Sequence, residues 1–284
     1  MRTITTIVTI RTITLAQDRA PIDELVVPVD GSAESERALP VAESLASVLD
    51  ARLRLLTTLT EAGDRSPTAY LDDLAASLPL RVTTDVALDQ EPVAAITSAA
   101  EASRVGVCMA THARGRLLAT LHPSVAEAVI EGAVGPVFLV GPNCVAGPLG
   151  DGPVLVAHDG TPESTAAGRR CLAVVAALGR PIEVVAVVSA PSGKVDEPYP
   201  DEVREMRELC RSAELLGLVA NHQLVFANRV GAGLAQAIGA SQPALIVMST
   251  HHRDRLERLR EGSVTMGVVH DATVPVLVGA ADDR

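Results

Sequence analysis

The sequence predicts an α/β protein made of two tandem doubly wound domains, each with a five-stranded, mostly parallel sheet flanked by helices. Three observations support this fold class. Short aliphatic runs alternate with alanine-rich helical segments, as expected for parallel strands that are covered on both faces. The whole alternation occurs twice along the chain. A length of 284 residues also fits two domains of ordinary size.

The repeat is clearest at the start of each half. The aliphatic run at 25–29 ends in Asp-Gly-Ser, and the run at 154–158 ends in Asp-Gly-Thr, so the two matches are 129 residues apart. An alanine-rich segment follows each of them, at 35–49 and 164–178, and predicts the first helix of each domain.

The ends of the two halves match as well. A Met-Ala-Thr-His segment begins at Met109 and a Met-Ser-Thr-His segment begins at Met248. Each half then closes on a helix and a last strand, at 136–141 and 275–279. The offset has grown to 139 residues, which places about ten extra residues around the proline-rich loop 190–201.

These matches predict the domain boundaries. Residues 1–21 form an N-terminal tail, 22–141 the first domain, 142–152 a linker and 153–280 the second domain. The tail is rich in Thr and Ile, and its alternation leaves open an added edge strand.

Composition excludes several function classes. A formal net charge of −11 without a basic stripe disfavours nucleic-acid binding. The chain has no apolar run of membrane-spanning length. Its four cysteines lack Cys-x-x-Cys spacing, so we expect reduced thiols in a cytoplasmic protein. The adjacent His251 and His252, even with His158 nearby, lack ligand spacing, so we expect no metal site.

The opening Val-Pro-Val-Asp-Gly-Ser-x-x-Ser-x-x-Ala-Leu at 27–39, the Met-x-Thr-His segments and the closing Pro-Val strands resemble the universal stress protein family. The resemblance extends over 25–280 in two copies. It implies an adenine-nucleotide alpha-hydrolase-like fold. In the ATP-binding branch of that family, the fourth strand is followed by Gly-x-x-Gly, nine residues and Gly-Ser or Gly-Thr, whose glycines and helix amides approach phosphate.

The second repeat keeps part of this pattern, with Ser249 and His252 at the two leading glycine positions. By resemblance, adenine and ribose contact Asp159 and Val187. The phosphates contact a set of residues from the fourth strand to the last helix: Ser249, His252, Gly262, Ser263 and Val264.

The first repeat departs further from the pattern, so its Asp30, Ala110 and Ser124 are weaker candidates. Ala113 disfavours a left-handed backbone where the family has glycine. Pro123 removes an amide at the start of the last helix.

Three of these residues also have structural interpretations. Asp30 and Asp159 are suited to cap the helices that follow them. Ser263 is expected to cap its helix rather than act as a nucleophile, because no His-Asp partner set is evident. We therefore expect no catalytic residues and at most slow ATP hydrolysis.

The predicted function is a stress-response protein that binds ATP or a related adenine nucleotide, with or without magnesium, mainly through its second domain. The role is regulatory, and the resemblance implies pairing of the last strands, 137–140 with 276–278. A further homodimer stays open. The alternative is a protein-interaction module of the same fold that binds no nucleotide; a third interpretation is a phosphate-transferring enzyme.

Overall fold

A computed structural model describes residues 21–59, 66–102, 104–111, 125–189, 200–250 and 264–280. The edge strand considered for the N-terminal tail lies outside these residues. The first repeat contains, in chain order, β1 (Glu24–Pro28), α1 (Ala33–Glu36), α2 (Ala38–Leu49), β2 (Arg52–Thr57), α3 (Pro67–Ser77), β3 (Val82–Val86), α4 (Pro92–Ala99), β4 (Val105–Ala110), α5 (Val125–Gly132) and β5 (Val137–Val140).

The second repeat has the same succession of strands and helices, except that a single helix follows its first strand. It contains β6 (Val154–His158), α6 (Pro162–Leu178), β7 (Ile182–Ser189), α7 (Pro200–Glu214), β8 (Ala220–Ala227), α8 (Val230–Ser241), β9 (Leu245–Thr250), α9 (Val264–Asp271) and β10 (Val276–Ala280).

In the described part of the chain, ten strands form one sheet in the order β3-β2-β1-β4-β5-β10-β9-β6-β7-β8. Neighbouring strands within each repeat are parallel, which confirms the predicted fold class. The two halves join where β10 runs antiparallel to β5, with Leu277 opposite Phe138 and Val278 opposite Val137. We call this junction the β5–β10 seam. It contains the last strands that were predicted to pair.

The helices lie on both faces of the sheet, in agreement with a doubly wound topology. One hydrophobic cluster packs α2, α3, α6 and α7 against one face, and includes Leu45, Leu71, Val174 and Met206. The other packs α4, α5, α8 and α9 against the opposite face, and includes Ile96, Val129, Leu234 and Val268. Both clusters extend through the two repeats, so the joined sheet has a continuous core on each side.

Helix α6 has start and stop signals that can be read directly from its sequence. Thr161 is the N-cap and accepts a hydrogen bond from the Ser164 amide at 3.2 Å, and Pro162 occupies the first turn. The helix ends at Gly179, whose φ of 64° is the left-handed conformation common after a helix. The turn between the end of β6 and the start of α6 is therefore only three residues long, 159–161.

The segment 142–152 packs against both repeats. An Nη2 atom of Arg37, which follows α1, donates to the Cys144 carbonyl at 2.7 Å. The side-chain Nδ2 of Asn143 donates to the His270 carbonyl in α9 at 3.0 Å. The segment therefore adds contacts between the halves beside those of the seam.

The four cysteines are buried and free: Cys108, Cys144, Cys171 and Cys210. None of the described helices combines the length and the hydropathy that crossing a bilayer requires.

Candidate functional site

Strands β6 and β9 separate at their carboxyl ends. Their ladder ends where Val156 faces Val247. On the outer sides, β6 stays paired with β7 as far as His158, and β9 stays paired with β10 as far as Thr250. Strand order reverses at this point, and open parallel sheets bind ligands in the crevice beyond such strand ends. We call this opening the β6–β9 crevice.

The first repeat has the same opening. The β1–β4 ladder ends where Val26 faces Val107, whereas β1 stays paired with β2 as far as Pro28 and β4 with β5 as far as Ala110. The internal repeat therefore reproduces the shape of the crevice as well as the order of the strands.

Asp159 lies at the mouth of the β6–β9 crevice, in an exposed turn between β6 and α6. Its Oδ1 accepts hydrogen bonds from the Thr161 amide at 3.0 Å and the Thr161 hydroxyl at 2.6 Å. The helix cap is thus Thr161, and Asp159 holds the cap residue in place. Gly160 between them has a φ of 82°, a conformation that glycine adopts without strain.

A buried polar network lies beneath this turn. The Gly160 amide donates to Nδ1 of His158 at 2.8 Å, so the ring proton must be on Nε2. Nε2 lies 3.0 Å from the hydroxyl of Thr165, which lies 3.0 Å from Oε2 of Glu205. The proton on Nε2 makes His158 the donor to Thr165, and Thr165 in turn donates to the carboxylate. Only 5% of His158, 2% of Thr165 and 7% of Glu205 is exposed.

The equivalent network in the first repeat uses different residues. Position 29 is a buried valine there, and the Gly31 amide approaches the hydroxyl of Tyr70 from α3. Tyr70 donates to Oε1 of Glu36 at 2.9 Å. Burial raises the pKa of Tyr70 and the Glu36 hydrogen bond raises it further, while the Gly31 amide lowers it. Both repeats therefore connect the glycine of the turn to a carboxylate.

The predicted site residues of the second repeat are only partly described. Ser249 lies in β9 beside the crevice, and Val264 is the first residue of α9. His252, Gly262 and Ser263 lie outside the described residues.

The Val187 side chain lies on the α8 side of the sheet. A Cβ on Gly233 of α8 would approach Cγ1 of Val187 to 2.5 Å, so the two elements are in close contact. The contact that the resemblance assigns to Val187 stays a prediction.

In the first repeat, Asp30 makes the same turn as Asp159, with the Ser32 amide donating to its Oδ1 at 3.0 Å. Ala110 ends β4 and has a buried side chain within the core. Ser124, the third weaker candidate, lies outside the described residues.

A family model described as "Universal stress protein family" matches residues 152–279. The second repeat belongs to the universal stress protein family. The matched residues run from just before β6 to the end of β10, so they include the crevice, the Asp159 turn and the buried network. No curated protein matches the sequence.

Solved structures resemble both repeats. A universal stress protein from Archaeoglobus fulgidus DSM 4304 is 18% identical, with a TM-score of 0.64, and the alignment covers 92% of this chain and 97% of that one. A protein of unknown function from Pseudomonas aeruginosa PAO1 is 19% identical with a TM-score of 0.63, over 92% and 94%. At such identities the likeness shows the fold alone. Because the alignments cover 92% of this chain, the shared fold extends over the first repeat as well.

A shorter structure, a universal stress protein in complex with cAMP, is 16% identical with a TM-score of 0.40, over 47% of this chain and 100% of its own.

Sequence reasoning missed Thr165 and Glu205, and it considered His158 only as a metal ligand. Both ring nitrogens of His158 make hydrogen bonds within the protein. A signal was present: the offset of 129 residues aligns His158 with Val29, so a polar residue replaces an aliphatic one at the end of a buried strand.

Proposed function

We propose that this universal stress protein domain binds ATP or a related adenine nucleotide in the β6–β9 crevice, in a stress-response role that is regulatory rather than catalytic. The early end of the β6–β9 ladder, with the Asp159 turn at its mouth, carries the proposal. Family membership of residues 152–279 supports it.

The chemistry at the crevice suits a nucleoside. Asp159 is exposed at the end of β6, where its carboxylate accepts hydrogen bonds from donors such as a ribose hydroxyl or an adenine amino group. Phosphates would lie toward the start of α9, because the first amides of a helix are unpaired donors and the helix dipole favours anions there. Ser249 and Val264 flank that region along the chain.

The second repeat is the better candidate of the two. Where it has Gly262 and Ser263 before the last helix, the first repeat has Pro123 and Ser124. A proline lacks the amide hydrogen that would donate to phosphate. We therefore propose binding mainly in the second repeat.

The test is thermal unfolding of the full chain with and without magnesium-ATP. A ligand that binds only the folded state at 100 times its Kd stabilises the protein by about 2.7 kcal/mol. We expect stabilisation of the wild type, its loss in Asp159→Ala and its retention in the matched variant Asp30→Ala. Loss in Asp30→Ala alone would place the site in the first repeat.

An interaction module without a nucleotide site predicts the same melting temperature with and without ATP. A phosphate-transferring enzyme predicts multiple turnovers of ATP that disappear in Asp159→Ala. We expect at most slow hydrolysis of bound ATP.

A further inference from the structure

We infer that His158 is a positioning residue for the nucleotide site, acting through its hydrogen bond to the amide of Gly160. The role rests on the proposed nucleotide site at the Asp159 turn. His158 belongs to β6, whereas Gly160 belongs to the turn, so the bond joins the rigid sheet to the segment that presents Asp159.

The geometry of the network gives His158 a defined protonation state. The Gly160 amide is a donor, so Nδ1 must accept and Nε2 must hold the proton. Nε2 then donates to Thr165, and the Thr165 hydroxyl donates to Glu205. Glu205 also interacts with Arg204, whose Nη2 lies 3.3 Å from Oε1. The ring is thereby held in one tautomer and one orientation.

The two repeats differ in what anchors the turn. In the first repeat the group facing the Gly31 amide is Tyr70, which comes from a helix. In the second repeat the group facing the Gly160 amide is His158, which belongs to strand β6 and lies two residues before the glycine. The position of the Asp159 turn therefore depends on a side chain of the sheet, and His158 holds the turn that presents Asp159 at the mouth of the crevice.

Three substitutions separate the two hydrogen bonds of the ring. In His158→Asn, the amide oxygen Oδ1 is bonded to Cγ as Nδ1 is in histidine, so the acceptor for Gly160 is kept. The donor to Thr165 is lost. His158→Gln reaches toward Thr165 and loses the acceptor near Gly160. His158→Val removes both and introduces the residue that the first repeat has at position 29. Val29→Ala is the matched control, since it perturbs packing at the equivalent buried position.

The first measurement is the Kd for magnesium-ATP in the full chain. We expect His158→Val and His158→Gln to weaken binding tenfold or more, His158→Asn to stay within threefold of the wild type, and Val29→Ala to leave the Kd unchanged. If the wild type binds and all three His158 variants bind equally well, the inference is wrong while the proposed function stands. If the wild type binds no ATP, the proposed function itself fails.

The second measurement needs no nucleotide. We expect the Gly160 amide to exchange slowly with deuterium in the wild type, and tenfold or more faster in His158→Val under conditions where the rest of β6 stays protected. Equal exchange in the two proteins would overturn the anchoring role even if every variant is folded.

Discussion

Glu202, in the first turn of α7, packs directly over Gly160. A Cβ on Gly160 would overlap Cγ of Glu202 and lie 2.8 Å from its Cβ, closer than folded proteins allow, and its 3.1 Å approach to Cα of Glu202 would be tight. The equivalent contact in the first repeat is looser, because a Cβ on Gly31 would meet Cδ1 of Leu59 at 3.3 Å. Helix α7 therefore packs against Gly160, while Asp159 beside it stays exposed.

Gly160→Ala should destabilise the protein and weaken nucleotide binding together. Alanine at a φ of 82° is strained, at a cost of about 1–2 kcal/mol. The Cβ also overlaps α7, and such overpacking adds about 1–3 kcal/mol. Urea unfolding and an ATP titration of the same variant measure the two effects.

The matched variant is Gly31→Ala, where φ is 79° but the neighbour is the end of a flexible side chain. We expect a loss of about 1–2 kcal/mol, from backbone strain alone, and no change in ATP affinity. Equal losses in the two variants would show that Glu202 does not constrain the turn.

Phe138→Ala should weaken the β5–β10 seam. Phe138 is fully buried in β5 and lies opposite Leu277 of β10. Truncating a buried phenylalanine costs about 3–5 kcal/mol, because the transfer free energy of the removed atoms is lost and a cavity is left behind. We expect the urea midpoint to fall accordingly, with Leu215→Ala as a control because 75% of Leu215 is exposed. A change below 1 kcal/mol would contradict a packed seam.

The buried thiols should react slowly in the native protein. Burial raises the pKa of Cys144 and Cys210 to about 11 and that of Cys171 to about 12, so little reactive thiolate exists at pH 8. We expect Ellman's reagent to label the thiols much faster in guanidinium than in buffer. Rapid labelling of folded protein at pH 8 would contradict the burial of these side chains.

Alkaline pH should destabilise the protein for the same reason. A folded-state pKa above the unfolded value of 9.0 means that the native protein holds the thiol proton more tightly. This stabilisation is fully present below about pH 9 and is lost as pH rises toward the folded-state pKa values. We expect the free energy of unfolding to fall as the pH rises from about 9 toward about 11, and to fall less in Cys171→Ala. An identical fall in both proteins would show that Cys171 does not contribute.

Much of the fold could be predicted from the sequence because each strand and helix is marked by a short segment, and the same order of segments occurs twice. The aliphatic runs mark the strands, and Thr161, Pro162 and Gly179 mark the ends of α6. The last strands were predicted to pair, and they meet in the seam with Leu277 opposite Phe138. The boundaries at 22–141, 142–152 and 153–280 stay a prediction, which limited proteolysis would test.

The site was less predictable because its contacts join distant residues. Glu205 contacts Thr165 and Glu202 contacts Gly160, and both glutamates belong to α7. This helix follows the stretch where the offset between repeats changes, so aligning the halves does not predict these contacts. The resemblance identified Val187 by its position in the chain, but not the face of the sheet on which its side chain lies. Such information depends on how helices pack, which periodicity does not specify.

The most direct test of nucleotide binding by the second repeat is a calorimetric titration of the full chain with magnesium-ATP. We predict about one nucleotide per chain in the wild type and none in Asp159→Ala. Two nucleotides per chain would show that the first repeat binds despite Pro123. No binding at all would contradict the nucleotide site and favour an interaction module of the same fold.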